Sequence, residues 1–169
     1  MPIPTDWVRI EPLEARHNRR DFSSGSAALD RYLQNQAGQD SRRRVAAPFV
    51  LAASDGVVVG YYTLSATAVL ARDLPEDLQR RLPRYPLIPA TLLGRLAVDR
   101  RYQGQGPGRH LLADALFRAL SNEVASFAIV VDAKDAAARR FYERESFLPL
   151  PDQPMRLFRR MADIAELFA

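Results

Sequence analysis

The 169-residue sequence predicts a single domain, residues 1–169, built on a mixed α/β sheet. Three observations lead to this prediction. The apolar run 92–98 enters a glycine-dense turn and then a helical apolar stripe. Two further apolar runs, 49–53 and 57–64, flank the turn sequence Ser54-Asp55-Gly56. A fourth run, 126–131, is followed by Asp135, a good helix N-cap. Strand and helix signals therefore alternate along the chain.

The remaining elements follow from local patterns. Residues 8–10 predict a first strand, and 22–26 predict a turn that caps a helix from Ala28 to about Gln39. Residues 76–81 predict a short helix in a Pro- and Arg-rich connection, and 155–158 predict a last strand at the sheet edge. The helix after the glycine turn carries one apolar stripe: Leu111, Leu112, Ala115, Leu116, Ala119 and Leu120.

Composition excludes several classes of protein. There is no cysteine, so disulfides and thiolate catalysis are excluded. His17 and His110 are the only histidines, so we expect no metal site. No apolar run approaches the ~18 residues of a membrane span. Residues 1–6 lack a basic-then-apolar signal pattern, so a cytoplasmic location without membrane attachment is expected.

The basic residues are almost all arginine. Lys134 is the only lysine among 24 basic residues, although the net charge is only +4. Arginine suits bidentate phosphate contacts, so the clusters, including Arg42, Arg43 and Arg44, are compatible with an RNA-binding face. A solvated surface in a chain from a GC-rich genome explains the same composition. Composition leaves both readings open.

The segment Gln103-Gly104-Gln105-Gly106-Pro107-Gly108 predicts an anion site. Glycines allow a ligand to approach the backbone, and the following helix start offers unpaired N–H groups. A P-loop needs a Gly-Lys pair and is excluded, because Lys134 lies elsewhere. The dinucleotide pattern G-x-G-x-x-G fails at its third glycine, where Arg109 stands.

The pattern Gln/Arg-x-x-Gly-x-Gly after an apolar strand resembles the acetyl-CoA motif of the GCN5-related N-acetyltransferases, the GNAT family. The segment 135–147 also resembles a GNAT signature, with Asp135 in place of the usual Asn and Ser146 in place of the usual Gly. The resemblance implies the GNAT fold, a central, mostly antiparallel sheet of roughly six to seven strands with about four flanking helices. It also implies acetyl-CoA as cofactor.

Segments 17–25, 28–33, 60–65 and 95–99 are similar to the GNAT toxins of bacterial toxin–antitoxin pairs. That resemblance implies an enzyme that acetylates the α-amino group of aminoacyl-tRNA and so stops translation. It implies charged tRNA as substrate, a ribbon-helix-helix antitoxin as partner, a homodimer, and contact with DNA only through the antitoxin. The open alternatives are a GNAT enzyme for a small amine or a protein N-terminus, and a non-catalytic GNAT-fold interaction module.

The resemblance also assigns roles to residues. Tyr142 matches the family's tyrosine, and a phenol that stays protonated at neutral pH can serve as general acid. Arg95 and the run Arg42, Arg43 and Arg44 are candidate tRNA contacts, and Asp99 is expected to cap the turn. Pro107 removes one N–H donor but suits the first turn of a helix. The expected acetyl-CoA residues are Leu96, Ala97, Val98, Arg101, Gln103, Gly104, Gln105, Gly106, Gly108, Arg109, Asp135 and Ala138.

Overall fold

The computed structural model describes the backbone of residues 7–169 and the side chains of residues 9–169. Residues 1–6, on which the absence of a signal pattern was argued, lie outside the described residues. Within residues 7–169, seven strands hydrogen-bond in the order β1-β2-β3-β4-β5-β7-β6. The mixed α/β class and the expected number of strands are confirmed. The chain divides into two compact units, Met1–Ser65 with Gly94–Ala115, and Ala66–Leu93 with Leu116–Ala169.

The first unit contains an antiparallel meander. Strand β1 (Trp7–Pro12) pairs with β2 (Ala47–Ala53), and β2 pairs with β3 (Val58–Leu70), whose first part belongs to this unit. The predicted hairpin forms between β2 and β3, and Gly56 has φ +88° in its turn. Phe22, Tyr61 and Ala97 belong to the buried apolar cluster of this unit.

The predicted helix after Ser26 forms in three continuous segments. Ser26 accepts a hydrogen bond from Leu29 N at the start of α1 (Ala27–Arg31). A π-helical turn, Tyr32–Gln36, follows, and α2 (Ala37–Arg42) completes the helix. A π turn holds one residue more than an α turn, and such turns occur frequently at functional sites.

The second unit holds the other strands. Strand β4 (Leu87–Val98), whose first part belongs to this unit, pairs in parallel with β5 (Ala128–Asp132). Strand β5 pairs antiparallel with β7 (Gln153–Arg160), and β7 pairs antiparallel with β6 (Leu148–Leu150). The predicted short helix forms as α3 (Glu76–Arg81). Helix α5 (Ala136–Arg144) begins at the predicted Asp135 cap. The long helix α4 (Pro107–Leu120) contributes residues to both units.

Two expectations need correction. Residues 155–158 do belong to a strand, but β7 lies between β5 and β6, so the predicted edge position is wrong. Strand β6 and the C-terminal helix α6 (Met161–Leu167) were not predicted, so there are more helical segments than the expected four. Separately, Ser146, which stands where the GNAT signature has Gly, has φ +68°, so the turn after α5 uses the left-handed region at the steric cost that a non-glycine residue incurs there.

Candidate active site

The glycine turn connects the end of β4 to the start of α4. A 3₁₀ turn, Arg100–Tyr102, follows the strand. Gly104 (φ +80°) and Gly106 (φ +98°) then adopt conformations that favour glycine, and α4 begins at Pro107. A Cβ atom added at Gly104 or Gly106 meets nothing within 4 Å. The glycines are therefore required by the backbone angles, and the turn borders open space.

The buried carboxylate of Asp99 holds the start of this turn in place. Its side chain is 2% exposed and accepts hydrogen bonds from Ser23 N (3.1 Å) and Arg101 N (3.0 Å). The Arg101 guanidinium completes the arrangement, with Nε 2.9 Å from Oδ1. Burial by itself raises the pKa of Asp99, but the hydrogen bonds from Arg101 and Ser23 outweigh it and hold the pKa below 3.8. Asp99 therefore caps the turn as an ionised carboxylate.

Side chains of the turn brace its backbone. Gln103 Nε2 donates to Ser24 O (2.8 Å) and to Val98 O (3.0 Å), and Gln105 Nε2 donates to Arg101 O (3.1 Å). Because the side-chain amides of Gln103 and Gln105 donate within the turn, these residues would bind an anion most directly through their main-chain N–H groups. Arg101 is engaged by Asp99, while its side chain is still 57% exposed.

Strand β3 reaches this region through a glycine. A Cβ atom at Gly60 would lie 2.7 Å from Leu111 Cδ1 and 2.9 Å from Ala97 O. Only glycine permits this approach of β3 to β4 and α4. Sequence reasoning did not single out Gly60 for this role, although an isolated glycine inside a strand pattern signals close backbone approach.

Arg95 lies near the end of β4 and faces a cavity of about 430 Å³ lined by one face of the π-containing helix. Its Cζ lies 3.5 Å from the centroid of the Tyr32 ring, a cation–π stack. Tyr32 Oη donates to Asp40 Oδ2 (2.8 Å), and the Tyr32 and Tyr61 rings stack at 6.3 Å. Burial, with the hydrogen bond to Asp40, raises the pKa of Tyr32 to about 12.

The arginine run 42–44, at the end of α2 and just after it, is exposed. The structure is compatible both with an RNA-binding face and with a solvated surface at this run. Arg42 ends α2, and Arg44 has φ +60°. A Cβ atom at Gly38 would lie 3.4 Å from Arg42 Nη1 and 3.7 Å from Arg19 Nη2, so both guanidinium groups lie over Gly38. This concentrates positive charge beside α2.

Tyr142 lies in the second unit, on α5. Its side chain is 7% exposed and packs edge-on against Phe141 (5.2 Å) and Phe147 (5.5 Å). Burial raises the pKa of the Tyr142 phenol above its ordinary 10.0, so the hydroxyl stays protonated throughout the physiological range. At the start of the helix, Asp135 Oδ1 accepts from Ala138 N (2.8 Å). That cap engages one oxygen of the Asp135 carboxylate.

The turn fits a phosphate group. Open space over Gly104 and Gly106 allows an anion to reach the main chain, and the first turn of α4 presents the positive end of the helix dipole. Pro107 has no N–H, so Gly108 supplies a donor in that turn; Arg109 is exposed beside it. A strand, a glycine turn and a helix in this order suit the diphosphate of a coenzyme.

A family model described as the acetyltransferase (GNAT) family matches residues 11–147. The chain belongs to the GNAT acetyltransferase family. The match includes parts of both units, the glycine turn and the whole segment 135–147, which carries Tyr142. GNAT enzymes use acetyl-CoA, in agreement with the phosphate-compatible turn.

Two curated relatives are toxins. The chain is 38% identical over 148 residues to a tRNA-acetylating toxin of Mycobacterium tuberculosis, covering 86% of this chain and 87% of that protein. It is 31% identical over 169 residues to a probable toxin TacT of Sinorhizobium fredii, covering 94% and 93% of the two chains.

Solved structures agree. A tyrosine-to-phenylalanine mutant of KacT superposes with a TM-score of 0.91 at 28% identity, covering 96% of this chain and 99% of that one. AtaT in complex with acetyl-methionyl-tRNAfMet gives a TM-score of 0.88 at 31% identity, covering 95% and 99%. AtaTR bound with acetyl-CoA gives 0.86 at 31% identity, covering 98% and 100%. The predicted family, subgroup and fold are thus confirmed.

Proposed function

We propose that the protein is the toxin of a toxin–antitoxin pair and transfers the acetyl group of acetyl-CoA to the α-amino group of aminoacyl-tRNA. The observation that carries this proposal is the 38% identity to a tRNA-acetylating toxin over 86% of the chain. The AtaT structure with acetyl-methionyl-tRNAfMet, similar over 95% of this chain, supports the same acceptor. Blocking the amine of a charged tRNA would stop translation.

The described residues suit acetyl transfer. Acetyl-CoA, when bound, supplies an activated thioester carbonyl. The main chain of Gly104, Gly106 and Gly108 would hold its diphosphate at the start of α4, with Arg101 and Arg109 adding positive charge. Leu96, Ala97 and Val98 would offer strand hydrogen-bonding groups to the pantetheine arm.

Tyr142 is proposed as the general acid. Its buried phenol stays protonated at neutral pH, so its hydroxyl can give a proton to the departing thiolate. The attacking amine must be neutral, and it loses its proton to solvent as the new amide bond forms. Tyr142→Phe removes the proton donor and keeps the ring that packs on Phe141 and Phe147.

The similar structures also guide proposals on partners and location. AtaT has been solved with the C-terminus of the antitoxin AtaR, and the AtaT–AtaR complex has been solved with DNA. We propose a comparable antitoxin partner here, of the ribbon-helix-helix type, which makes the DNA contact. A homodimer, a cytoplasmic location and a single functional domain over residues 1–169 complete the proposal. Among the described residues, no helix combines the length and apolar character needed to cross a bilayer.

The test uses purified protein, radiolabelled acetyl-CoA and total charged tRNA. We expect label in the tRNA fraction, released by mild base, and its loss with Tyr142→Phe. If the protein binds acetyl-CoA but no label reaches tRNA, the aminoacyl-tRNA assignment is refuted, and small amines and peptide N-termini become the acceptors to screen.

A further inference from the structure

The cavity beside Arg95 has features that acetyl-CoA binding does not require. It measures about 430 Å³, within the usual size range of small-ligand pockets. Ala28 and Leu29 give it an apolar wall, and the exposed amides of Asn35 and Gln36 line it together with Arg31. Those amides stand on the π turn. Gln36 Nε2 already donates to Asp40 Oδ1 (2.9 Å), so its Oε1 is the atom that can serve a ligand. The pocket thus combines an apolar surface with a few groups that can donate and accept hydrogen bonds.

The Arg95 guanidinium forms one wall, and its orientation is fixed. It stacks on Tyr32, which is itself held by the hydrogen bond to Asp40 and by the Tyr61 ring. Among residues 9–169, no hydrogen bond or ion pair engages Arg95. A planar cation is therefore held flat, half-buried, with its hydrogen-bonding capacity unused.

We propose that this pocket binds a nucleobase, the terminal base of the tRNA acceptor end, by stacking on Arg95. Bases of single-stranded RNA ends stack on arginine planes and aromatic rings, and amide side chains read their edges. Apolar walls with two amides and a flat cation match that chemistry. The inference rests on the proposed function, because it takes charged tRNA as the acceptor.

An aliphatic amino-acid side chain fits the same wall less well. Covering a half-buried guanidinium with hydrocarbon removes water from the cation and gives it no hydrogen bond in return. A stacked purine gives the cation a π face and leaves the N–H groups at the edge of the guanidinium plane open to water. The planar wall thus favours a base over the aminoacyl group.

The position of the pocket agrees with this ligand. Arg95 directly precedes residues 96–98, the strand segment proposed to hold the pantetheine arm. Arg95 and Ala97 are two residues apart and so lie on one face of β4, and Ala97 packs in the same cluster as Tyr32 and Tyr61. An acceptor whose amine reaches the acetyl group places its terminal nucleoside close to this face.

Equilibrium dialysis with the full chain tests the proposal without turnover. The probes are the methionyl amide of 3′-amino-3′-deoxyadenosine and methionine methylamide, which lacks the nucleoside. We expect the nucleoside to lower Kd by about tenfold or more in the wild type, the worth of one stacked base. Arg95→Lys keeps the charge and loses the plane, so it should remove most of this difference. Arg80→Lys, on exposed α3, is the matched control and should retain it.

Acetyl-CoA binding and the melting temperature of Arg95→Lys show whether the variant is folded. Equal binding of the two probes, or no binding of either, overturns the proposal. So does an Arg95→Lys variant that keeps the full nucleoside advantage, since charge alone would then suffice. Alanine in place of methionine in both probes tests the aminoacyl group. If Kd changes with this replacement but not with the nucleoside, the pocket binds the aminoacyl group instead. Failure of the proposed function is read separately, as absence of label on tRNA despite nucleoside binding.

Discussion

Replacing the turn glycines with alanine separates backbone strain from loss of the coenzyme site. Gly104, Gly106 and Gly56 all have positive φ, at +80°, +98° and +88°. Alanine at any of them incurs roughly 1–2 kcal/mol of strain. For a chain of this size, that free energy lowers the melting temperature by about 2–8 °C. Gly56→Ala is the control, because its Cβ meets only Arg16 O at an ordinary 3.6 Å.

The variants should differ in coenzyme binding. At Gly104 and Gly106 the new Cβ would project into open space that we assign to the diphosphate. Losing one amide hydrogen bond to a charged group costs about 1.5–3 kcal/mol, so Kd for acetyl-CoA should rise at least about tenfold. Isothermal titration calorimetry measures Kd, and thermal melts measure the strain. If all three variants bind acetyl-CoA equally well, the turn does not hold the diphosphate.

Three further predictions concern Tyr142, Asp99 and Gly60. Tyr142→Phe should lower kcat by about 10²–10⁴-fold, with acetyl-CoA binding retained. The kcat of the wild type should not fall at alkaline pH below pH 10, because burial raises the pKa of Tyr142 above 10.0. A fall in kcat near pH 9 in stopped-flow assays would contradict the role of Tyr142 as general acid. Asp99→Ala should lower the free energy of unfolding by about 3 kcal/mol at pH 7. Since the pKa of Asp99 is lowered in the folded state, its stabilisation is present above about pH 4 and is lost as the pH falls through the folded pKa. Urea melts should therefore show that the difference in unfolding free energy between wild type and Asp99→Ala becomes smaller in that pH range. A difference that does not change with pH would show that ionisation of Asp99 is irrelevant to stability. Gly60→Ala should lower the free energy of unfolding by about 1–3 kcal/mol and raise KM for acetyl-CoA, because its Cβ would lie 2.9 Å from Ala97 O. A variant with the stability and the KM of the wild type would show that β3 can shift away without penalty.

Local signals predicted the elements that local chemistry determines. The residues 76–81 formed a helix with those bounds, and the Asp135 cap and the Gly56 turn formed where the sequence placed them. Strand β4 begins at Leu87, five residues earlier than its apolar run suggested, because Pro89 interrupts the strand signal. The sequence reasoning succeeded where one or two residues set the backbone angles.

Long-range pairing was not predictable in the same way. The position of β7 inside the sheet depends on β6, a three-residue strand with a central proline, Pro149, that leaves almost no sequence pattern. At the site, the motif pointed to the glycine turn. The stack of Arg95 on Tyr32, the first residue of the π turn, joins residues 63 positions apart, so no local pattern could show it.

The most direct test of aminoacyl-tRNA acetylation is mass spectrometry of the tRNA 3′ end. Charged tRNA is incubated with the protein and acetyl-CoA, then digested with nuclease to release the terminal aminoacyl-adenosine. We expect one added acetyl group on the α-amino nitrogen, present with the wild type and absent with Tyr142→Phe. An unmodified aminoacyl-adenosine, with acetyl-CoA consumed on another amine, would contradict it.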